Sequence, residues 1–358
     1  MSRTYPRYGL GRICRWLGYT RQAYYAHGRR RCRRAYEDAV ILGLVAEYRR
    51  GVGARLGTRK LHALMADDLS AAGIRCGRDR LFAVLRAAGR LVSPQRPRRP
   101  RTTDAGAWRR QYPDLRAELL ASLGGGADAE AATAPEQLWV ADITYVRLAP
   151  SARAPAGAFC YVSLVTDAYS RKIVGARVHA RLTTDGPLSA LRDALAAREH
   201  PSRRLVHHSD RGLQYCAGVY VTTLREHGVG VSMTQTGSPY DNALAESVNG
   251  QLKSEYGLAD AFADVDAVAY ALGEAVARYN ERRPHGALGM RTPREVHACP
   301  EHDPAVAMAW GRLPGGGTTP DRTEAEETTP NRTTTPTDNL ISDDDRGRQP
   351  LAGLLHQV

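Results

Sequence analysis

The sequence predicts an α/β fold: a mixed five-stranded sheet with flanking helices, preceded by an all-helical region. Three observations predict it. From Gln137 onward the chain turns to β-branched and aromatic runs, Leu138–Leu148, Phe159–Thr166 and Lys172–Val178, separated only by turns at Ala149–Gly157 and Asp167–Arg171. Helix-like stretches then alternate with two shorter strand-like runs, Arg204–His208 and Val229–Met233, the pattern of a sheet covered on both faces. Before residue 93 the apolar residues recur at helical rather than alternating spacing.

Taken in order, Arg12–Leu17 and Arg21–Tyr25 read as two short helices around Gly18, with Thr20 placed to cap the second. The basic cluster Arg29, Arg30, Arg31, Arg33 and Arg34 follows, then a longer helix over about Tyr36–Arg50. Thr58 is expected to cap a helix with Leu61, Leu64, Met65 and Leu69 on one face. Past the break at Ala72–Gly77, another helix turns Leu81, Phe82 and Leu85 inward. Two helices joined by a tight turn and carrying Arg59, Lys60, Arg78, Arg80 and Arg86 resemble a helix-turn-helix DNA-binding pair. An ordinary helical hairpin with solvated charges is the alternative.

Pro94–Arg101 cannot be helical and sets Arg98 and Arg99 in a stiff cationic linker suited to lie along phosphates. Residues 123–135, rich in Gly and Ala, are expected to be flexible spacer. Within the sheet region, helices are expected at Thr184–Arg198, Leu213–His227, Pro239–Tyr256 and Asp264–Asn280. Beyond Cys299 the Thr/Pro/Asp-rich sequence reads as low complexity, where disorder is expected. The chain therefore divides into a basic helical region (1–93), a linker (94–135), a sheet core (136–298) and a tail (299–358).

Charge is unevenly spread. Residues 1–110 hold 26 Arg and Lys against 7 Asp and Glu, a balance of +19 in a chain whose total is +12. Such asymmetry indicates a front half that meets a polyanion, followed by a slightly acidic body. The six cysteines are scattered without Cys-x-x-Cys pairs, which argues against a zinc knuckle and against a disulfide framework. No apolar run has the length of a membrane span, so a soluble cytoplasmic protein without a membrane partner is expected.

Three carboxylates carry the chemistry. Asp142 interrupts the apolar run Trp139–Val146, Asp210 follows the strand ending at His208, and Glu246 lies mid-helix, with thirty-five residues between the last two. An ionised acid in a covered strand is costly unless a cation sits on it. Asp210, just past the carboxyl end of its strand, is where α/β sheets place their sites. Asn249 and Lys253 share the helix face of Glu246. Lys253 is one of only three lysines beside 47 arginines, so a compact point charge stands where composition would supply arginine. Oxygen-only ligands suit Mg²⁺ or Mn²⁺, and two ions are expected. His207 and His208 read as packing groups more than ligands, and Ser209 and the tyrosines as structural.

These residues lie in stretches that resemble the OrfB-type transposases of two-frame bacterial insertion sequences, whose core is similar to retroviral integrase. The matching stretches are Trp139–Tyr145, His208–Tyr215, Met233–Ser247, Tyr279–Gly289 with Thr292–Glu295, and Leu56–His62 upstream, within residues 8–298. The resemblance implies a ribonuclease-H-like core in which Asp142, Asp210 and Glu246 are the DDE metal ligands. It also implies nicking of element ends followed by 3′-hydroxyl strand transfer. Asp241 and Asn242 match a pair shaping the helix start; Tyr279, Asn280, Arg283 and His285 match a downstream signature of DNA or core contacts. Implied partners are double-stranded DNA (element ends and target), further copies of the chain on DNA, and an upstream-frame, OrfA-type protein. A non-catalytic DNA-binding copy and a ribonuclease H or resolvase-type nuclease are the rival readings.

Overall fold

A computed structural model describes residues 9–93, 112–116, 132–150, 158–234 and 243–299. Arg98, Arg99, Asp241, Asn242 and the sequence beyond Cys299 lie outside the described residues.

The chain opens with α1 (Leu10–Trp16) and α2 (Arg21–Gly51), and Thr20 caps α2 by accepting from the Ala23 N–H at 3.0 Å. The two helices expected at Arg21–Tyr25 and Tyr36–Arg50 are one helix of 31 residues. Arginine is a good helix former, and the isolated Gly28 costs only about 1 kcal/mol, too little to end a helix. Next come α3 (Thr58–Leu64), α4 (Ala66–Ala71) and α5 (Arg78–Ala87). Gly57, not Thr58, is the N-cap of α3, and Thr58 is its first helical residue. Ile41 and Val45 of α2 pack with Leu61, Met65, Leu81 and Leu85, giving the helical region its own core.

The sheet has the order β3-β2-β1-β4-β5, built from β1 (Leu138–Leu148), β2 (Phe159–Asp167), β3 (Ile173–His179), β4 (Val206–Ser209) and β5 (Gly230–Met233). The first three form an antiparallel meander, while β4 and β5 run parallel to β1. A sixth strand unforeseen in the sequence, β6 (Ala261–Phe262), pairs with Arg147 and Leu148 at the end of β1. Two residues are too few to show a period.

Helices cover both faces. On one, Trp139 and Ala141 of β1 pack with α6 (Asp185–Ala196), α7 (Leu213–Cys216) and α8 (Gly218–Glu226). A single helix was expected over Leu213–His227, but Ala217 adopts extended backbone and divides it. On the other face, Val146, Val162 and Leu164 pack with α9 (Ala243–Glu255) and α10 (Val265–Glu281). Full burial of each such side chain is worth roughly 1.5–3 kcal/mol.

The end of the expected spacer belongs to the core. Ala132 and Ala134 are buried, and the Gln137 side chain accepts from the N–H groups of Thr133 and Ala134. Within 112–116, the Leu115 N–H donates to Ser232 Oγ and Pro113 O accepts from the Met233 N–H, so this short segment lies along β5.

A buried polar lock joins the entry of the core to its exit. Glu136, in the left-handed region at φ 58°, accepts from Arg198 Nε (3.0 Å), the Glu199 N–H (2.6 Å) and the His200 N–H (3.1 Å). Burial disfavours its charge, yet these bonds and His297, 3.6 Å away, hold its pKa at about 2. Asp167 accepts from the Glu136 N–H and from Ser170, whose hydroxyl lies 2.9 Å from His297 Nδ1. His297 ends α11 (Pro293–His297), which starts with a Thr292–Glu295 capping box.

Helix α6 lies hard against Gly175 of β3, where a Cβ would stand 2.1 Å from the Ala190 carbonyl oxygen. Gly175→Ala must push α6 off the sheet. Chemical denaturation should show a loss of roughly 3 kcal/mol, against little change for Gly218→Ala, whose Cβ would meet open space.

Candidate active site

Asp142 lies near the middle of β1, on the face that carries Val146 and therefore under α9. The parallel ladder pairs Ala141 with Ser209, so the next residue on each strand, Asp142 and Asp210, comes level with the other one strand spacing away (about 4.8 Å). Asp210 sits where β4 gives way to loop, and its Oδ1 accepts from the Gly212 N–H at 3.0 Å. The third acid arrives on α9, whose Val248 and Leu252 are anchored in the core under β1. Glu246 is exposed one turn before Asn249 and two turns before Lys253.

The electrostatics tie these groups together. Burial is the largest influence on Asp142 and the Asp210 charge the next, with Glu246 adding to them, and the carboxyl pKa rises to about 7. Two bonds oppose the rise: the Ile143 N–H, and Asn249 Nδ2, which donates to Asp142 Oδ2 at 2.7 Å. Asn249 is buried, and its Oδ1 has no hydrogen-bond partner. Burial lowers the Lys253 pKa while the Asp142 charge raises it, so the ammonium stands within electrostatic reach of the acids. Among the described residues, no three His, Cys, Asp or Glu groups close into a set able to hold a metal ion. The donor chemistry nevertheless fits a hard cation: the acids that sense one another offer only oxygen, and their crowding is what a dication relieves.

The far end of α9 is held by charge. Glu255 lies in the last turn, where a carboxylate opposes the helix dipole. Arg283, itself 3% exposed, grips it through two bonds of 2.7 Å, and Lys60 from α3 approaches to 3.7 Å. The Glu255 carbonyl also accepts from the Ala54 N–H at 3.0 Å, so the helical region is fastened to α9. Tyr279 and His285 pack edge to face at 4.9 Å beside Arg283, and Asn280 bonds both the N–H and the carbonyl of Ile173. The downstream signature therefore makes core contacts.

The expected DNA contacts separate into two groups. Arg59 and Arg78 are exposed. Arg80 instead bonds Glu37 at 2.7 Å and Asp38 at 3.2 Å, and Lys60 is drawn in beside Glu255 with its pKa lowered to about 8, chiefly by burial. Neither presents an outward charge to phosphate, because each has an acid on a neighbouring helix. His207 contacts the Tyr220 hydroxyl at 2.9 Å, and His208 Nδ1 lies 2.8 Å from Ser232 Oγ; both are inside the fold. Sequence reasoning missed Glu255 and Glu136 as organising acids. A signal existed for the first, since an acid in a last helical turn needs a cation.

Two stretches, residues 132–239 and 227–293, match the family described as Integrase core domain. The transposase for insertion sequence element IS629 of Shigella sonnei is 33% identical over 298 residues, covering 81% of this chain and 92% of that protein. The chain belongs to the insertion-sequence transposases with an integrase core. The putative transposase for IS986/IS6110 of Mycobacterium tuberculosis is 37% identical over 171 residues, 46% of this chain, and the match spans only 59% of that protein. Among solved structures, the HTLV-2 integrase catalytic core domain in complex with magnesium aligns with a TM-score of 0.36 and 16% identity, over 46% of this chain and 97% of that one.

The raised Asp142 pKa sets a direction for stability. The penalty of ionising it in the fold is absent below its unfolded value near 3.8 and is complete above about 7. In metal-free buffer, Asp142→Asn should therefore melt with the parent at pH 4 and be more stable at pH 8, by on the order of 2–4 kcal/mol. Thermal melts across that range check it. A variant less stable than the parent at pH 8 contradicts the assigned environment.

Proposed function

We propose that this transposase uses a DDE centre made of Asp142, Asp210 and Glu246 to nick the ends of an insertion sequence and join them to target DNA. The observation that carries the proposal is the placing of Asp142 beside Asp210 by the β1–β4 ladder, with the Glu246 charge felt at Asp142, Asn249 bonded to it and Lys253 within its electrostatic reach. When bound, one or two Mg²⁺ or Mn²⁺ ions held by those carboxylates would place charge on the scissile phosphate and acidify the attacking hydroxyl.

The chain's own groups prepare that centre. Asn249 Nδ2 holds Asp142 Oδ2, and the Gly212 N–H holds Asp210 Oδ1. The Lys253 ammonium would hold a phosphate next to the acids. In nicking, a water oxygen bonds to phosphorus, the P–O3′ bond breaks, and the departing 3′-oxygen takes a proton. In strand transfer that 3′-hydroxyl attacks a target phosphodiester, and the target's P–O3′ bond breaks in turn. No covalent protein nucleophile is needed. The partners on this reading are element ends and target duplex, further copies of the chain, an OrfA-type protein from the upstream frame, and a cytoplasmic, nucleoid-associated setting.

Asp142→Asn, Asp210→Asn and Glu246→Gln should each reduce Mg²⁺-dependent cutting of end-containing duplex by at least about a thousandfold, with duplex affinity changed less than about threefold. Gel assays of cleavage and strand transfer, with the upstream-frame protein supplied, read the first; anisotropy reads the second. Full cutting by any one variant removes that residue from the centre. A parent that binds DNA and never cuts favours the non-catalytic reading.

A further inference from the structure

Helix α2 is about 46 Å long, but only its second half rests on the helical core. Every residue of Arg21–Tyr36 except Ala26 is exposed. This half overhangs the body, and the face it leaves open is cationic. Arg30, Arg34, Glu37, Ile41 and Val45 follow one another at three- and four-residue steps, so they lie on one side of the helix. That side buries Ile41 and Val45 against α3–α5, then continues upstream, toward the contact of α1 with the start of α2, as a stripe of exposed arginine at Arg30 and Arg34.

The two acids at the junction are already engaged. Arg33 bonds Glu37 at 2.9 Å, and Arg80 from the first turn of α5 bonds Glu37 and Asp38. Those bonds place the start of α5, with its exposed Arg78, just below the stripe. From Gly9 to Tyr36 the chain has eight arginines and no acid. Arg29 and Arg33, and Arg30 and Arg34, are like-charged pairs one turn apart, an arrangement that weakens an isolated helix. A helix that accumulates such repulsion along one open face is completed by an anion.

We propose that the overhanging half of α2, together with Arg78 at the start of α5, is a docking surface for the phosphate backbone of duplex DNA. It rests on the reading of the chain as a DNA-acting transposase and assigns it a contact surface separate from the acids. A second copy does not fit this face, because two-fold pairing would set arginine against arginine. The fixed spread of guanidinium groups along a helix matches a row of phosphates, each contact displacing a counterion.

The test uses the full chain and a 30-base-pair duplex of arbitrary sequence, followed by anisotropy from about 50 to 300 mM salt. Arg30→Gln/Arg34→Gln should lower the slope of log Kd against log salt by about 2 and weaken binding at 100 mM salt roughly tenfold or more. The charge-matched control Arg192→Gln/Arg282→Gln, at exposed positions on and after the core helices, should change neither. Far-ultraviolet circular dichroism of the double variant should keep its helical signal, since both arginines are exposed. Equal loss in variant and control, or no change in slope, overturns the surface. A variant whose light-scattering mass falls while its slope holds also overturns it, in favour of a second copy. Cutting by the parent is scored separately. A slope that depends on Arg30 and Arg34 without any cutting keeps the surface and sinks the enzymatic reading, and cutting with an unchanged slope does the reverse.

Discussion

Two carboxylates held level on neighbouring parallel strands are the constraint around which this protein is arranged. Asp142 and Asp210 are brought together by backbone hydrogen bonding, which has no regard for side-chain charge. Their repulsion, sharpened by burial, shows in the raised Asp142 pKa. What surrounds them answers that repulsion piece by piece: an amide on Asp142, a backbone N–H on Asp210, an ammonium nearby. None of these neutralises the pair as a dication would. The sheet imposes the problem, and α9 supplies most of the response.

That helix is fixed in its middle and at its last turn by different means. Its middle is packed under β1 by Val248 and Leu252, and its last turn is clasped by Arg283 and approached by Lys60. Glu255 is therefore shared between the core and the helical region. Removing it would leave Arg283 enclosed without a counter-charge, a change that typically costs about 3–5 kcal/mol. The same grip means that movement of the helical region is felt by the helix carrying Glu246, Asn249 and Lys253.

The five main strands were legible because their β-branched runs are long enough to show a pattern, and each falls within two residues of its expected place. The helix cap at Thr20 is legible because capping is local; Asp264, where α10 was expected to start, is in fact its N-cap and accepts from the Ala267 N–H. Asp142, Asp210, Glu246 and Lys253 stand out in the sequence by motif, and the roles proposed for them rest on that motif and on the electrostatics around Asp142. Features set by distant partners were not. Lys60 and Arg80 carry the right charge for DNA, but Glu255 and Glu37 lie on other helices and claim them. Glu136 reads as an ordinary strand-entry acid, and nothing local reveals that His297 will close over it. The unbroken α2 escapes the sequence for a different reason: the basic cluster Arg29–Arg34 reads as a break between two helices, although arginine is itself a good helix former.

The lock of Glu136, Asp167, Ser170 and His297 has an architectural consequence. It seats the residue that leads into the first strand beside the residue that ends the last helix, so the integrase core closes on itself like a clasped ring. A change at either end of the core, at Glu136 or at His297, is therefore transmitted to the other without crossing the sheet.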